Sequence, residues 1–319
     1  MTNFDFEPAK AETFYFVGVT TEKSSIMKVF PAWASHLGLN APLRGIDCEI
    51  HDDPEVYRRV VRFIKEDPLS LGGLVTTHKI DLLEAARDIF DELDPYAELL
   101  GEVSCIAKKD GRLKGFAKDP ITSGLSMEAF VPEGHWGKTS ADLCLLGAGG
   151  SSLALTLYIM EKKPAEDRPA RILVTNRSKP RLDSMQQVHE RVNPGIPVEY
   201  FHCPEPEQND EVVGQLSPGS LVANTTGLGK DAPGSPLTDG ARFPQDGFAW
   251  DFNYRGDLKF LEQAKQQKDE RNLHVEDGWL YFIHGWTSHI AEVFDIEIPR
   301  SGPEFEEMSR IAAEARKKK

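Results

Sequence analysis

The stretch Leu143-Cys144-Leu145-Leu146-Gly147-Ala148-Gly149-Gly150-Ser151-Ser152 decides the fold. Four apolar residues in a row read as a short parallel strand buried on both faces. A glycine turn follows, and the pattern from Leu153 onward is helical. Such a turn lets backbone N–H groups approach a pyrophosphate at the start of a helix. Gly147 and Gly149 take the first two glycine roles, Gly150 and Ser151 continue the turn, and Ser152 puts another small residue at the third glycine position. The next apolar strand, 172–175, ends in Asn176-Arg177-Ser178. This is the strand end that faces the adenosine ribose. An acidic residue there suits a 2′-hydroxyl, whereas the planar guanidinium of Arg177 suits a 2′-phosphate. NADP(H) is therefore expected in preference to NAD(H). A purely structural glycine turn and a surface arginine are the plain alternatives.

Outward from this stretch, strand-like and helix-like segments alternate. Residues 13–20 are aromatic and β-branched, as strands prefer. A helix is expected through 32–38, with Pro31 in its first turn, and a strand around 46–50. Asp53-Pro54 supplies a cap and a first position for a helix carrying Val56, Val60, Phe63 and Ile64 on one face. A strand at 73–76 and a helix through Leu82, Leu83, Ala86 and Ile89 come next. A hairpin pairs 103–107 with 113–117 around Lys109-Asp110-Gly111. Residues 132–140, rich in Pro, Gly and polar side chains, read as a linker or surface insertion. Beyond the glycine turn, strands at 198–203, 221–224 and 248–252 continue the series. Strand and helix alternation on this scale predicts an α/β protein with a parallel sheet.

Composition narrows the function classes. The chain has 319 residues, 40% of them hydrophobic and 28% charged, enough for two compact domains. A net charge of −14 argues against nucleic acid and anionic membranes as partners. The basic run Arg316-Lys317-Lys318-Lys319 is short enough to be a solvated tail. Four cysteines without a CxxC pair suit reduced thiols better than disulfides or zinc. With no apolar stretch of membrane-spanning length and no basic-then-apolar leader, a cytoplasmic location is expected. His284 and His289 are five apart, not i,i+4, so no metal site is expected from them.

The order of motifs resembles the shikimate/quinate dehydrogenase family over nearly the whole chain. Ser24 stands at the first serine of that family's Ser-x-Ser-Pro segment. Val75-Thr76-Thr77-His78-Lys79 is similar to its Val-Thr-x-Pro-x-Lys segment, and Gly115-Phe116-Ala117-Lys118-Asp119 to its Asn-Thr-Asp-Gly region. Gly147-Ala148-Gly149-Gly150, Asn176-Arg177-Ser178, Asn224-Thr225-Thr226-Gly227-Leu228-Gly229, Asp251-Phe252-Asn253-Tyr254 and Gly278 follow in the family's order. The resemblance implies a catalytic α/β domain (residues 1–125 with 280–319) and a Rossmann NADP domain (126–279), the last helices returning to the first domain. It implies Lys79 and Asp119 as the catalytic pair, and Ser24, Thr76, Ser104 and Tyr254 as contacts to a small-molecule substrate. Gly147, Gly149, Gly150, Ser151, Ser152, Asn176, Arg177, Ser178, Asn224, Thr226, Gly229 and Gly278 would hold the cofactor. The chemistry agrees, because moving a hydride from an alcohol also moves a proton off its oxygen, and a lysine beside an aspartate can orient and exchange that proton.

The departures fall in the substrate pocket. Ile26 and Met27 replace the second serine and the proline. Whether Thr76 or Thr77 is the pocket threonine depends on the alignment, though Lys79 survives either way. Ser104 stands for a substrate-binding asparagine, Cys105 for a threonine, Ala117-Lys118 for Asn-Thr, Tyr281-Phe282 for Met-Leu, and Gly285 for a glutamine. A pocket that loses hydroxyl-binding groups loses discrimination for a polyhydroxylated substrate. The expectation is an NADP(H)-dependent dehydrogenase or reductase acting on a small cyclic polyol or keto acid other than shikimate, as monomer or homodimer. The alternatives are a true shikimate/quinate dehydrogenase with a rearranged pocket, and a non-catalytic NADP(H)-binding sensor.

Overall fold

A computed structural model describes residues 4–162, 165–192 and 195–317. Lys318 and Lys319 of the basic run lie outside the described residues. The chain divides into two compact units, Met1–Lys118 with Gly285–Lys319, and Asp119–His284.

The first unit is built on a six-stranded sheet. Its elements are β1 (Thr13–Gly18), α1 (Ile26–Leu37), β2 (Leu43–Asp47), α2 (Pro54–Glu66), β3 (Ser70–Val75), α3 (Lys79–Ala86), β4 (Glu92–Leu93), α4 (Pro95–Leu100), β5 (Cys105–Lys109) and β6 (Arg112–Phe116). The strand order is β2-β1-β3-β5-β6-β4. β1 pairs in parallel with β2 and β3, whereas β5 runs antiparallel to β3 and β6. The C-terminal ends of β1 and β3 therefore share one sheet edge with the start of β5 and the end of β6. Asp110 and Gly111 take φ of 52° and 72°, the two left-handed positions of a two-residue hairpin turn. Asp53 caps α2 through Glu55 N–H at 2.8 Å, with Pro54 behind it, as the sequence predicts.

Two expectations in this unit change. Pro31 lies inside α1, not in its first turn. The helix starts at Ile26 because burying Ile26, Val29, Phe30 and Trp33 along one face outweighs the single bond that Pro31 cannot donate. β2 ends at Asp47, earlier than expected, because its partner β1 ends at Gly18, the residue paired with Asp47.

The second unit opens with α5 (Asp119–Glu128) and α6 (His135–Thr139). It continues through β7 (Leu143–Leu146), α7 (Gly150–Lys162), β8 (Ile172–Asn176), α8 (Lys179–Val192), β9 (Val198–His202), α9 (Pro206–Val213), β10 (Leu221–Asn224), β11 (Phe248–Asp251), α10 (Lys259–Gln266), α11 (Lys268–Arg271) and β12 (His274–Glu276). All its strands are parallel, in the order β12-β11-β10-β7-β8-β9. This is the doubly wound Rossmann arrangement, with its switch point between β7 and β10. Residues 132–140 are not a plain linker. They contain α6, whose Trp136 is buried in the core while the Asp167 carboxylate accepts from the N–H groups of Gly134 and Trp136. The apolar side chain, absent from a turn-residue count, decides the placement.

The helix α12 (Trp279–Phe294) carries the unit boundary within it, and α13 (Pro303–Lys317) belongs to the first unit. There Trp33 Nε1 donates to Met308 O at 2.8 Å, which fixes α13 against α1.

Candidate active site

In the second unit, the turn between β7 and α7 is shaped from beneath. Gly147 has φ 119°, and a Cβ there would lie 2.8 Å from Thr225 Oγ1, so only glycine fits. A Cβ on Gly149 would meet nothing within 4 Å, which leaves that side of the turn open to a ligand. Ser152 is fully buried. Its hydroxyl donates to Gly147 O at 2.5 Å and lies 2.6 Å from Thr225 Oγ1, which in turn donates to Leu146 O. The Ser152 side chain thus braces the turn, which leaves its backbone N–H for a ligand. The first N–H of the ladder to find a carbonyl is Leu153, on Gly149 O at 3.0 Å. The N–H groups of Gly150, Ser151 and Ser152 precede it, at the positive end of the helix dipole, and form an anion seat.

Beside this seat, Asn176 Nδ2 donates to Ser178 O, and His202 Nε2 lies 3.1 Å from Arg177 O. These bonds hold the backbone of residues 176–178 and leave the Arg177 side chain exposed, with no carboxylate partner among the described residues. A cleft of about 240 Å³ opens at the ends of β7 and β8, bounded by Gly147, Asn176, Arg177, Asn209, Thr226 and Pro236.

The loop after β10 is fixed by amides. Asn224, fully buried, accepts from Thr226 N–H at 3.0 Å and Thr226 Oγ1 at 2.7 Å, and its Nδ2 donates to Asp251 Oδ1 at 3.2 Å. Asn253 N–H donates to the same oxygen at 2.9 Å, and Asn253 Nδ2 donates to the carbonyls of Thr226 and Leu228. Asp251 is itself fully buried. Burial drives its carboxyl up to about 7, the nearby charge of Asp277 adding to the rise and the bonds from Asn253 and Asn224 opposing it. Gly229 takes φ 88°, and a Cβ on Gly278 would lie 2.1 Å from Phe252 O. Tyr254 packs against Trp279 at 5.6 Å and Phe282 at 5.1 Å, with Trp279 and Phe282 stacked 4.9 Å apart.

In the first unit, Lys79 is the opening residue of α3. Its N–H donates to Thr76 O, and its carbonyl accepts from Val103 N–H. Thr76 is half-buried, with both its N–H and its Oγ1 directed at Val17 O, whereas Thr77 is exposed. His78 is buried, with Nδ1 3.1 Å from Tyr57 Oη, and burial lowers its basicity. Ser24 follows the short 3₁₀ turn Thr21–Lys23 at the end of β1. Ser104 is 1% exposed. Its Oγ accepts from Lys118 N–H at 2.9 Å and lies 3.3 Å from His289 Nε2. Asp119 opens α5 in the second unit. Among the described residues no group of three or more His, Cys, Asp or Glu side chains is placed to hold a metal.

No protein-family model matches the chain. It is similar to the shikimate dehydrogenase (NADP(+)) of Methanosphaera stadtmanae, 27% identical over 224 residues that cover 68% of this chain and 71% of that protein. The corresponding protein of Bacillus cereus strain G9842 is 34% identical over 120 residues, 38% of this chain and 39% of that one. The crystal structure of shikimate dehydrogenase from Aquifex aeolicus matches 98% of this chain and all of that one, with a TM-score of 0.73 at 21% identity, a likeness of fold. In sequence the chain is thus similar to shikimate dehydrogenases, and in fold it matches one of them along nearly its whole length.

The second unit gathers Gly147, Gly149, Gly150, Ser151, Asn176, Arg177 and Thr226 around one strand edge. Asn224, Ser152 and Gly278 act from behind that surface. The first unit gathers Thr76, Lys79 and Ser104 at its own sheet edge. Three groups escaped the sequence reading. Arg181, exposed in the first turn of α8, is a second cation four residues after Arg177, and that spacing was readable. Asn209 and the Ser104–His289 contact join residues remote in sequence, and no local pattern marks them.

Proposed function

We propose that this protein is an NADP(H)-dependent oxidoreductase acting on a CH–OH or keto group of a small cyclic polyol or keto acid other than shikimate. The observation that carries the cofactor half is Arg177, exposed and without a carboxylate partner among the described residues, on the cleft beside the glycine turn. The N–H groups of Gly150 and Ser151 would hold the pyrophosphate, and Arg177, with Arg181 beside it in sequence, the 2′-phosphate. The bound nicotinamide would supply the hydride acceptor or donor. Lys79 then orients the substrate oxygen and carries its proton, with Asp119 as partner, roles taken from the family resemblance.

The substrate half rests on losses. Ser104, in place of an asparagine, already spends its hydroxyl on Lys118 N–H and His289. Gly285 and Ile26 bring no hydrogen-bonding side chain where the family has Gln and Ser. A site with fewer donors holds a heavily hydroxylated acid less well. Shikimate itself is the second reading, favoured by the names of the relatives. Turnover of shikimate, quinate and a panel of cyclic and linear polyols and their ketones, followed by NADPH absorbance, separates the two. Activity on a panel member exceeding that on shikimate is expected, and Lys79→Ala should abolish it. A Lys79→Ala variant with full turnover overturns the assigned chemistry.

A further inference from the structure

The cleft at the ends of β7 and β8 contains an acceptor that the pyrophosphate and 2′-phosphate leave unused. Asn209, on α9, lines the cleft and is 8% exposed. Its Nδ2 donates to Pro236 O at 2.8 Å. A backbone carbonyl can only accept, so this bond fixes which end of the amide is nitrogen and which is oxygen. Asn209 Oδ1 then has no hydrogen-bond partner among the described residues. A buried carbonyl oxygen without a donor is unfavourable, and protein interiors rarely leave one.

The surroundings narrow the donor. Cys203, Pro204, Pro206 and Pro236 give the cleft apolar walls. A flat, largely apolar ring with one N–H group at its rim matches both the walls and the acceptor. We propose that Asn209 reads the 6-amino group of adenine and so selects the base of the dinucleotide. Hypoxanthine and guanine carry a carbonyl oxygen at that position, which would set lone pair against lone pair on Oδ1. Asn209 Oδ1 is itself buried, so contact with the ring takes a local opening of the cleft wall that keeps the bond from Nδ2 to Pro236 O. Arg177 lines the same cleft, so base and 2′-phosphate are recognised side by side. The inference rests on the cleft being the adenosine end of an NADP(H) site.

Calorimetric titration of the full chain with NADP+ and with its hypoxanthine analogue tests it. The wild-type protein should bind NADP+ at least tenfold more tightly than the analogue. Asn209→Ala should bring the two affinities together, while Asn209→Asp, which keeps an acceptor, should retain the preference. Each ratio compares two ligands on one protein, so an overall loss of stability cancels, and the wild-type ratio needs no variant at all. NADP+ bound tightly but no better than the analogue overturns the base-reading role and leaves the cofactor reading intact. Neither dinucleotide binding at millimolar concentration overturns both.

Discussion

Replacing Asp251 with asparagine isolates the cost of keeping one carboxyl dry beneath the cofactor-side loop. Asp251 ends β11 and is fully buried. Oδ1 accepts from Asn253 N–H and Asn224 Nδ2, and Oδ2 has no partner among the described residues. Burial raises the carboxyl from an ordinary 3.8 to about 7. Between those values the folded chain holds a proton that the unfolded chain has released. Stability therefore falls as pH rises through this window, and the loss is complete above about pH 7. At 1.36 kcal/mol per pH unit the whole window is worth roughly 4 kcal/mol, and the part above pH 5 about 3 kcal/mol. Asparagine keeps the accepting oxygen in place and removes the titration. Urea unfolding of wild type and Asp251→Asn at a series of pH values gives the difference directly, since every other titrating group cancels. The variant should gain about 3 kcal/mol on the wild type between pH 5 and pH 8. A difference that stays constant to within ~0.5 kcal/mol over that range refutes the reasoning.

Two further outcomes follow from neighbouring features. His189 is neutral between Tyr200 and Thr156, both at 2.7 Å, and burial lowers its pKa to about 4. Its contribution is complete above the ordinary 6.5 and is lost as pH falls toward 4, so His189→Gln should flatten the acid limb of the stability curve by roughly 3 kcal/mol. Coincident acid midpoints for variant and wild type would sink this idea. Gly147→Ala forces a side chain into φ 119° and against Thr225 Oγ1. It should cost about 1–3 kcal/mol in urea unfolding and weaken dinucleotide binding more than tenfold. Unchanged affinity would mean the turn does not carry the pyrophosphate.

Much of the fold was legible because its signals are local. A run such as Leu143–Leu146 before a glycine turn, the Asp53-Pro54 cap and the Asp110-Gly111 hairpin each fix φ or a buried face within a few residues. Pro31 misled because helix start signals compete with burial: the apolar face from Ile26 to Trp33 sets the register, and the proline is tolerated. Trp136 misled in the opposite sense, since turn residues around it hid a helix held by Asp167, 31 residues away in the chain. In the candidate site, Lys79, Arg177 and the glycines were legible as motif residues; Arg177 and Gly147 directly follow strands, and Lys79 opens a helix. The Ser152 hydroxyl braces the turn through Thr225, a contact that only the β7–β10 pairing creates. Asp251 and Asn209 matter because of what surrounds them, and burial of a lone polar atom leaves no periodic trace.

Affinity for NADP+ against NAD+, measured by calorimetry on wild type and Arg177→Ala, bears most directly on the cofactor assignment. A charge-assisted bond to the 2′-phosphate is worth about 1.5–3 kcal/mol, or roughly 10- to 150-fold. Wild type should prefer NADP+ by that margin, and Arg177→Ala should lose it while binding NAD+ as before. Equal affinities in the wild type, or a variant that weakens both dinucleotides alike, would contradict the assignment of Arg177 and with it the NADP(H) reading of the cleft.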